Sequence, residues 1–199
     1  MNDRYMPLNA RRLTGHLGYF RPTQDFPAKL SMDSPAIMTM TDLRLVSALT
    51  VEPNVSIDWA LTRMREGGVR LLLVTNHDNE VVGLITSTDI LGEKPLRLLR
   101  ELSLRHSEIR VRDVMVARDQ LEFISYSDVL KAVVGNVVET LRRTGRRHAL
   151  VYDADQRTGM QAVRGIFSAT RLGQQLGMSF EPVEVATTFA EMEAALNAG

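Results

Sequence analysis

Apolar positions along this chain change period in the same order twice. An extended start from Leu49 to Pro53 is followed by Ser56 and then by Ile57, Ala60, Leu61 and Met64 at helical spacing. That pattern predicts a helix capped by Ser56 and ended by Gly67 and Gly68. "EGGVRLLLV", ending at Val74, and the run Val81, Val82, Leu84 and Ile85 then read as two buried strands joined by the turn sequence "TNHDNE". Thr86 to Asp89 has the form of a capping box and opens a second helix. In the second copy the extended start is Leu121 to Tyr126 and the predicted cap is Ser127. Its helix carries Val129, Val133, Val134, Val137, Val138 and Leu141 and ends at Gly145. Gly135 within it costs roughly 1 kcal/mol of helix propensity against Ala.

The two copies can be aligned residue by residue. "GLITSTDILG" from Gly83 is echoed by "GIFSATRLGQ" from Gly165, an offset of 82, and Val74 is echoed by Val151, an offset of 77. The difference of five residues falls in the longer connection "YDADQRTGMQA" between the two strands of the second copy. Each copy therefore reads β-α-β-β-α. Between them, Pro95 to Arg105 suits a connecting helix with Leu96, Leu99 and Leu102, or Leu98 and Leu102, on one face.

Four segments follow: an arm over 1–36, a first repeat with its connecting helix over 37–112, a second repeat over 113–177, and an extension over 178–199. The arm carries Arg4, Arg11, Arg12, Arg21 and Lys29 and is interrupted by Pro and Gly. It suits packing on a neighbouring subunit better than contact with nucleic acid. The extension is acidic and reads as a short strand and then a helix capped at Thr188, with Glu191 completing the box.

Composition narrows the class without naming a partner. The chain is 44% hydrophobic and 24% charged, and 24 Lys and Arg balance 24 Asp and Glu, as in an ordinary globular protein. With no cysteine there is neither a disulfide framework nor a thiol ligand set. No apolar run approaches the roughly 18–20 residues that span a bilayer, and the N-terminus has no apolar leader, so a cytoplasmic location is expected. His16, His77 and His106 stand without a second ligand at metal spacing and read as surface residues, Trp59 reads as core, and "MTMTD" from Met38 reads as packing against the repeats. No P-loop, nucleophile elbow or HExxH is present, which argues against an intrinsic enzyme. "GRRH" from Gly145 to His148 reads equally as a phosphate contact and as a solvated basic turn. Asp89, taken by itself, reads as a helix cap.

With "IMT" (Ile37 to Thr39) or "DVM" (Asp113 to Met115) before each repeat, and "GLITSTD" or "GIFSATR" closing it, the chain resembles the cystathionine beta-synthase (CBS) domain family, whose tandem pairs form Bateman modules. The resemblance covers roughly Ile37 to Gly177. It implies an α+β fold of two β-α-β-β-α repeats packed as a pseudo-symmetric pair, acting as a non-enzymatic sensor of an adenosine nucleotide (AMP, ADP, ATP or a related adenosyl ligand). No other cofactor is required. On this resemblance Thr86 contacts phosphate, Asp89 accepts from the ribose hydroxyls, Val51, Leu84 and Ile85 wall the adenine, and Arg70, Arg147 and His148 lie near the phosphates. Ser168 keeps the hydroxyl in the second copy, but Arg171 replaces the Asp there, so one competent site per chain is expected. Arg171 near a helix N-terminus also calls for an acidic or anionic partner. Homodimerisation and a separate regulated polypeptide are further implied; the alternative is a ligand-free dimerisation or interaction module.

Overall fold

Each half of the chain builds a four-stranded sheet, and each sheet takes its fourth strand from the segment that leads into the other half. In a computed structural model the described residues are 8–12, 14–16, 22–102 and 105–178. The strand and helix predicted beyond Met178 lie outside them, as do Arg4 and Arg21 of the arm. In chain order the elements are β1 (Thr41–Asp42), β2 (Thr50–Val51), α1 (Ile57–Glu66), β3 (Leu71–Thr75), β4 (Val81–Thr86), α2 (Ser87–Leu91) and α3 (Glu93–Leu102). There follow α4 (Val111–Val114), β5 (Val116–Ala117), β6 (Phe123–Ser125), α5 (Tyr126–Val129), α6 (Val134–Thr144), β7 (His148–Ala154), β8 (Gln161–Ser168) and α7 (Ala169–Leu176). None of the helices among the described residues is long and apolar enough to cross a membrane.

The sheets run β2-β3-β4-β5 and β1-β8-β7-β6, and their registers repeat. Leu71 lies opposite Thr86 in one and His148 opposite Ser168 in the other, which preserves the 77- and 82-residue offsets of the sequence. The exchanged strands obey the same rule: Asp42 pairs with Gly165, and Ala117 with Gly83. Each helix that follows a last strand is tied back alike, Ser87 N donating to Arg70 O at 3.0 Å and Ala169 N to Arg147 O at 2.9 Å. This is the tandem pair of mixed α/β repeats that the sequence predicts.

Three apolar clusters hold it together. Ile57, Ala60, Met64, Leu72, Val74 and Ile85 centre the first half, and Met40, Val134, Val138, Leu141, Phe167 and Leu172 centre the second. Between the sheets lie Leu71, Leu73, Leu84 and Leu150. The glycines that open the two motifs are needed here because an incoming methionine lies on each. At Gly83 a Cβ would stand 2.7 Å from Val116 O and 2.9 Å from Met115 Sδ, while Gly165 sits under the fully buried Met40. Gly83→Ala must therefore push β5 off β4, and we expect a loss of about 1–3 kcal/mol in urea unfolding; an unchanged midpoint would contradict this packing.

Four local expectations are corrected. Ser127 caps nothing: it lies within the single turn α5, its Oγ 2.7 Å from Ser125 Oγ, and the long helix begins only at Val134. The chain breaks there because Ala132 O accepts from Ala36 N and Pro35 bridges Val133, a tertiary pairing that overrides the local helical stripe. Gly135 accordingly sits at the start of α6, where its N–H donates to Met32 O at 2.8 Å. Trp59 is 49% exposed, with Arg63 over its ring, because Ile57, Ala60 and Met64 form the opposite, buried face of α1. Of the α3 leucines, Leu98 and Leu99 pack inward while Leu96 is exposed. From Gln24 onward the arm packs on the second half of its own chain.

Candidate functional site

A cleft of about 200 Å³ opens where the β4–α2 turn of the first half meets the start of β7 in the second. The antiparallel registers set the end of β4 beside the start of β3 and the end of β8 beside the start of β7. Thr86, Ser87, Thr88 and Asp89 form one lip, and Gly145, Arg146, Arg147 and His148 form the other. Arg70 crosses between the halves, its Nη2 donating to Thr170 Oγ1 at 2.9 Å. Leu84, Val116, Leu121 and Leu150 line the cleft with apolar surface. Gly145 turns the chain into this lip with a left-handed φ of 63° as the C-cap of α6.

Of the residues singled out from the sequence, Arg70, Leu84, Thr86, Asp89, Arg147 and His148 are thus brought together. Val51 and Ile85 are not: both belong to the core of the first half, on the face of their sheet away from the cleft. Ser168 pairs with His148 across β7 and β8, but the lining residue contributed by that turn is Thr170. Arg146, half of the basic pair in "GRRH", is the contributor nearest to being legible. Glu122, Thr170 and Lys94 carried no sequence signal.

Asp89 has a full set of internal partners. Its Oδ2 accepts from Thr86 N at 2.9 Å and from Thr86 Oγ1 at 2.7 Å, while Asp89 N donates back to Thr86 Oγ1 at 3.3 Å. This is the reciprocal capping box that the sequence predicts. Oδ1 accepts from Lys94 Nζ at 2.5 Å, and the same ammonium donates to Val114 O at 3.0 Å. The Asp89 side chain is 13% exposed and that of Lys94 43%. A ligand hydroxyl reaching Oδ1 must therefore share it with, or displace, a half-exposed lysine.

The charge on the other lip is less compensated. Arg146 Nη2 donates to Gln120 O at 2.7 Å, and no carboxylate among the described residues forms an ion pair with Arg70, Arg146 or Arg147. His148 is pushed down to about 4 by burial first and then by Arg70 and Arg147, against a smaller opposing pull from Asp89. It is a neutral imidazole at pH 7. Because its folded value is depressed, the unfolded chain binds this proton first as pH falls. Stability is complete above about 6.5 and is lost between there and about 4. Between pH 7 and pH 5 we expect this residue to contribute a loss on the order of 2 kcal/mol, read as the difference in urea unfolding between the parent and His148→Gln. Identical pH profiles for the two would contradict it.

At the position equivalent to Asp89, the Arg171 guanidinium lies 3.6 Å from the centroid of the Phe26 ring. Among the described residues its partner is an aromatic face from the arm, where the sequence called for an acidic or anionic one. Among the described residues no group of three or more His, Cys, Asp or Glu is placed to hold a metal ion.

The family profile for the CBS domain matches residues 37–95. No curated protein sequence matches the chain. Among solved structures, the chain is similar to an uncharacterized conserved protein from Pyrococcus horikoshii, with 25% identity, a TM-score of 0.51, and coverage of 72% of this chain and 92% of that one. It is also similar in fold to the hexameric CBS-CP12 protein from bloom-forming cyanobacteria, at 20% identity and a TM-score of 0.51, covering 84% of this chain and 81% of that one. A looser likeness, at 21% identity and a TM-score of 0.49, is to CBSX2 of Arabidopsis thaliana, a CBS-pair protein solved in complex with AMP, covering 83% of this chain and 97% of that one.

Proposed function

Because this chain is a tandem CBS-domain pair, we propose that it is a regulatory module that takes an adenosine nucleotide into the cleft between its repeats. One observation carries the reading: Arg70, Arg146 and Arg147 gather at the cleft with no carboxylate ion-pair partner among the described residues, beside an apolar lining of Leu84, Val116, Leu121 and Leu150. An anion attached to a flat apolar ring suits that combination, the phosphates meeting the guanidinium groups and the base meeting the leucines. Ser87 and Thr88 add hydroxyls on the opposite lip. The cleft is smaller than the roughly 300–1,000 Å³ of typical ligand pockets, so the phosphate end is assigned to its open, arginine-lined mouth.

Neutral His148 adds no charge to this mouth at pH 7 but remains able to donate one hydrogen bond and accept another. Asp89 meets the ribose through Oδ1 once Lys94 Nζ gives way. The module acts without chemistry of its own, in the cytoplasm, as a homodimer that relays occupancy to a separate polypeptide. Trp59, Leu91 and Leu96, all exposed, supply apolar surface for self-association. We expect sedimentation to report a dimer at tens of micromolar protein; a monomer would remove the dimer from the reading.

The internal satisfaction of Thr86 and Asp89 favours a second reading, a ligand-free interaction module. A thermal-shift screen with AMP, ADP, ATP and S-adenosylmethionine separates the two. A ligand at 100 times its dissociation constant stabilises by about 2.7 kcal/mol, or roughly 5–10 °C for a chain of this size. If every compound leaves the midpoint unmoved at millimolar concentration, the interaction module replaces the sensor.

A further inference from the structure

The segments that lead into the two repeats cover the β4–α2 and β8–α7 turns differently. Ahead of the second repeat, α3 places Lys94 on Asp89 and on the carbonyl of Val114, just before the methionine that lies on Gly83. Ahead of the first repeat, the arm places Phe26 on Arg171 and Gln24 Nε2 on the carbonyl of Met40, the methionine that lies on Gly165. Arg171 is the counterpart of Asp89 and Gly165 that of Gly83, each at an offset of 82. The arm and α3 therefore occupy matching places over matching turns.

The two covers differ in how they are held. Lys94 is a half-exposed flexible chain attached to Asp89 by its terminal amine. Phe26 is set between further anchors: Gln24 Oε1 accepts from Asp42 N at 2.8 Å, Gln175 Nε2 donates to Pro27 O at 2.9 Å, and Leu30 N donates to Gln175 O at 2.9 Å. Gln175 is itself buried, its Oε1 accepting from the buried Thr39 at 2.5 Å. Burial lowers the pKa of Arg171, and its charge meets an aromatic face there. A cation cannot accept ribose hydrogen bonds, so this turn is suited to a ring from its own chain.

We propose that segment Gln24–Leu30 of the arm is the built-in occupant of the place over the β8–α7 turn that corresponds to the Asp89 turn, with Phe26 on Arg171 as its anchor, so that the pair offers one nucleotide site and not two. The occupant role rests on the nucleotide reading above; the closure itself does not. The test uses the full chain and the variants Phe26→Ala, Arg171→Asp and their combination, read in two ways. Trypsin cleavage at the exposed Lys29, followed by mass spectrometry, reports whether the arm is held. Each single variant should raise that rate about 10-fold, and the combination should add little, because both break one contact. Unchanged cleavage in all three overturns the closure.

Titration with AMP, ADP and ATP then reports the site. One nucleotide per parent chain should become two in Phe26→Ala/Arg171→Asp, where the acceptor is restored and the ring removed. A stoichiometry that stays at one although the arm is released overturns the occupant role. A parent that binds none of the three contradicts the nucleotide reading instead, and the closure then stands or falls on the cleavage rate at Lys29.

Discussion

Phe167→Ala is expected to cost about 3–5 kcal/mol of unfolding free energy. The ring is fully buried on β8, in the cluster that contains Met40 from the incoming segment, Leu141 of α6 and Leu172 of α7. Those residues arrive from three separate stretches of chain, so no single movement fills the space the ring leaves. Domains of this kind are stable by only about 5–15 kcal/mol, and the loss would bring the second half close to unfolding at ambient temperature. β8 also carries β1 on one side and β7 on the other, and β7 starts at His148 in the cleft. Urea unfolding is the measurement; a loss below about 1 kcal/mol would show that the site collapses freely and that this cluster is not the organising core.

Asp89→Asn carries the largest expected effect on binding. Asn still offers an oxygen to Thr86 N, so the cap of α2 survives, but the ion pair with Lys94 is lost. With Lys94 half exposed, that loss should lower stability by about 1 kcal/mol at most. If Asp89 accepts from the ribose, removing its charge should weaken the nucleotide by about 1.5–3 kcal/mol, roughly 10- to 150-fold in dissociation constant. Lys94→Met supplies the contrast, because it removes the competitor for Oδ1 and leaves the acceptor charged. Its affinity should equal or exceed that of the parent. Calorimetric titration of both variants decides the matter: equal affinity in parent and Asp89→Asn would make Asp89 a helix cap and nothing else.

The repeat was legible because its signal is long-range and redundant. Offsets of 77 and 82 residues in the sequence reappear as the Leu71–Thr86 and His148–Ser168 registers. Trp59 was readable in principle: with Ile57, Ala60 and Met64 on one side of the helical wheel, it falls on the other. Leu84 and Ile85 could not be separated, since a strand buried on both faces shows no alternation, and only the packed sheets reveal that Leu84 faces the cleft and Ile85 the core. The break before Val134 and the place of the arm depend on contacts about 100 or more residues apart in sequence, such as Ala36 with Ala132 and Phe26 with Arg171. Neither leaves a local period. The exchange of β1 and β5 between sheets was hidden for the same reason, each being a two-residue strand.

On the reading proposed above, the arginine-lined cleft between the repeats holds an adenosine nucleotide. The most direct test of that reading is calorimetric titration of the full chain with AMP, ADP and ATP, beside an Arg70→Ala/Arg147→Ala variant whose folding is checked by urea unfolding. Saturable binding of at least one of the three is expected at one site per chain, weakened at least 10-fold in the folded variant. No saturable heat with any of them up to millimolar concentration, or equal affinity in parent and variant, would contradict it.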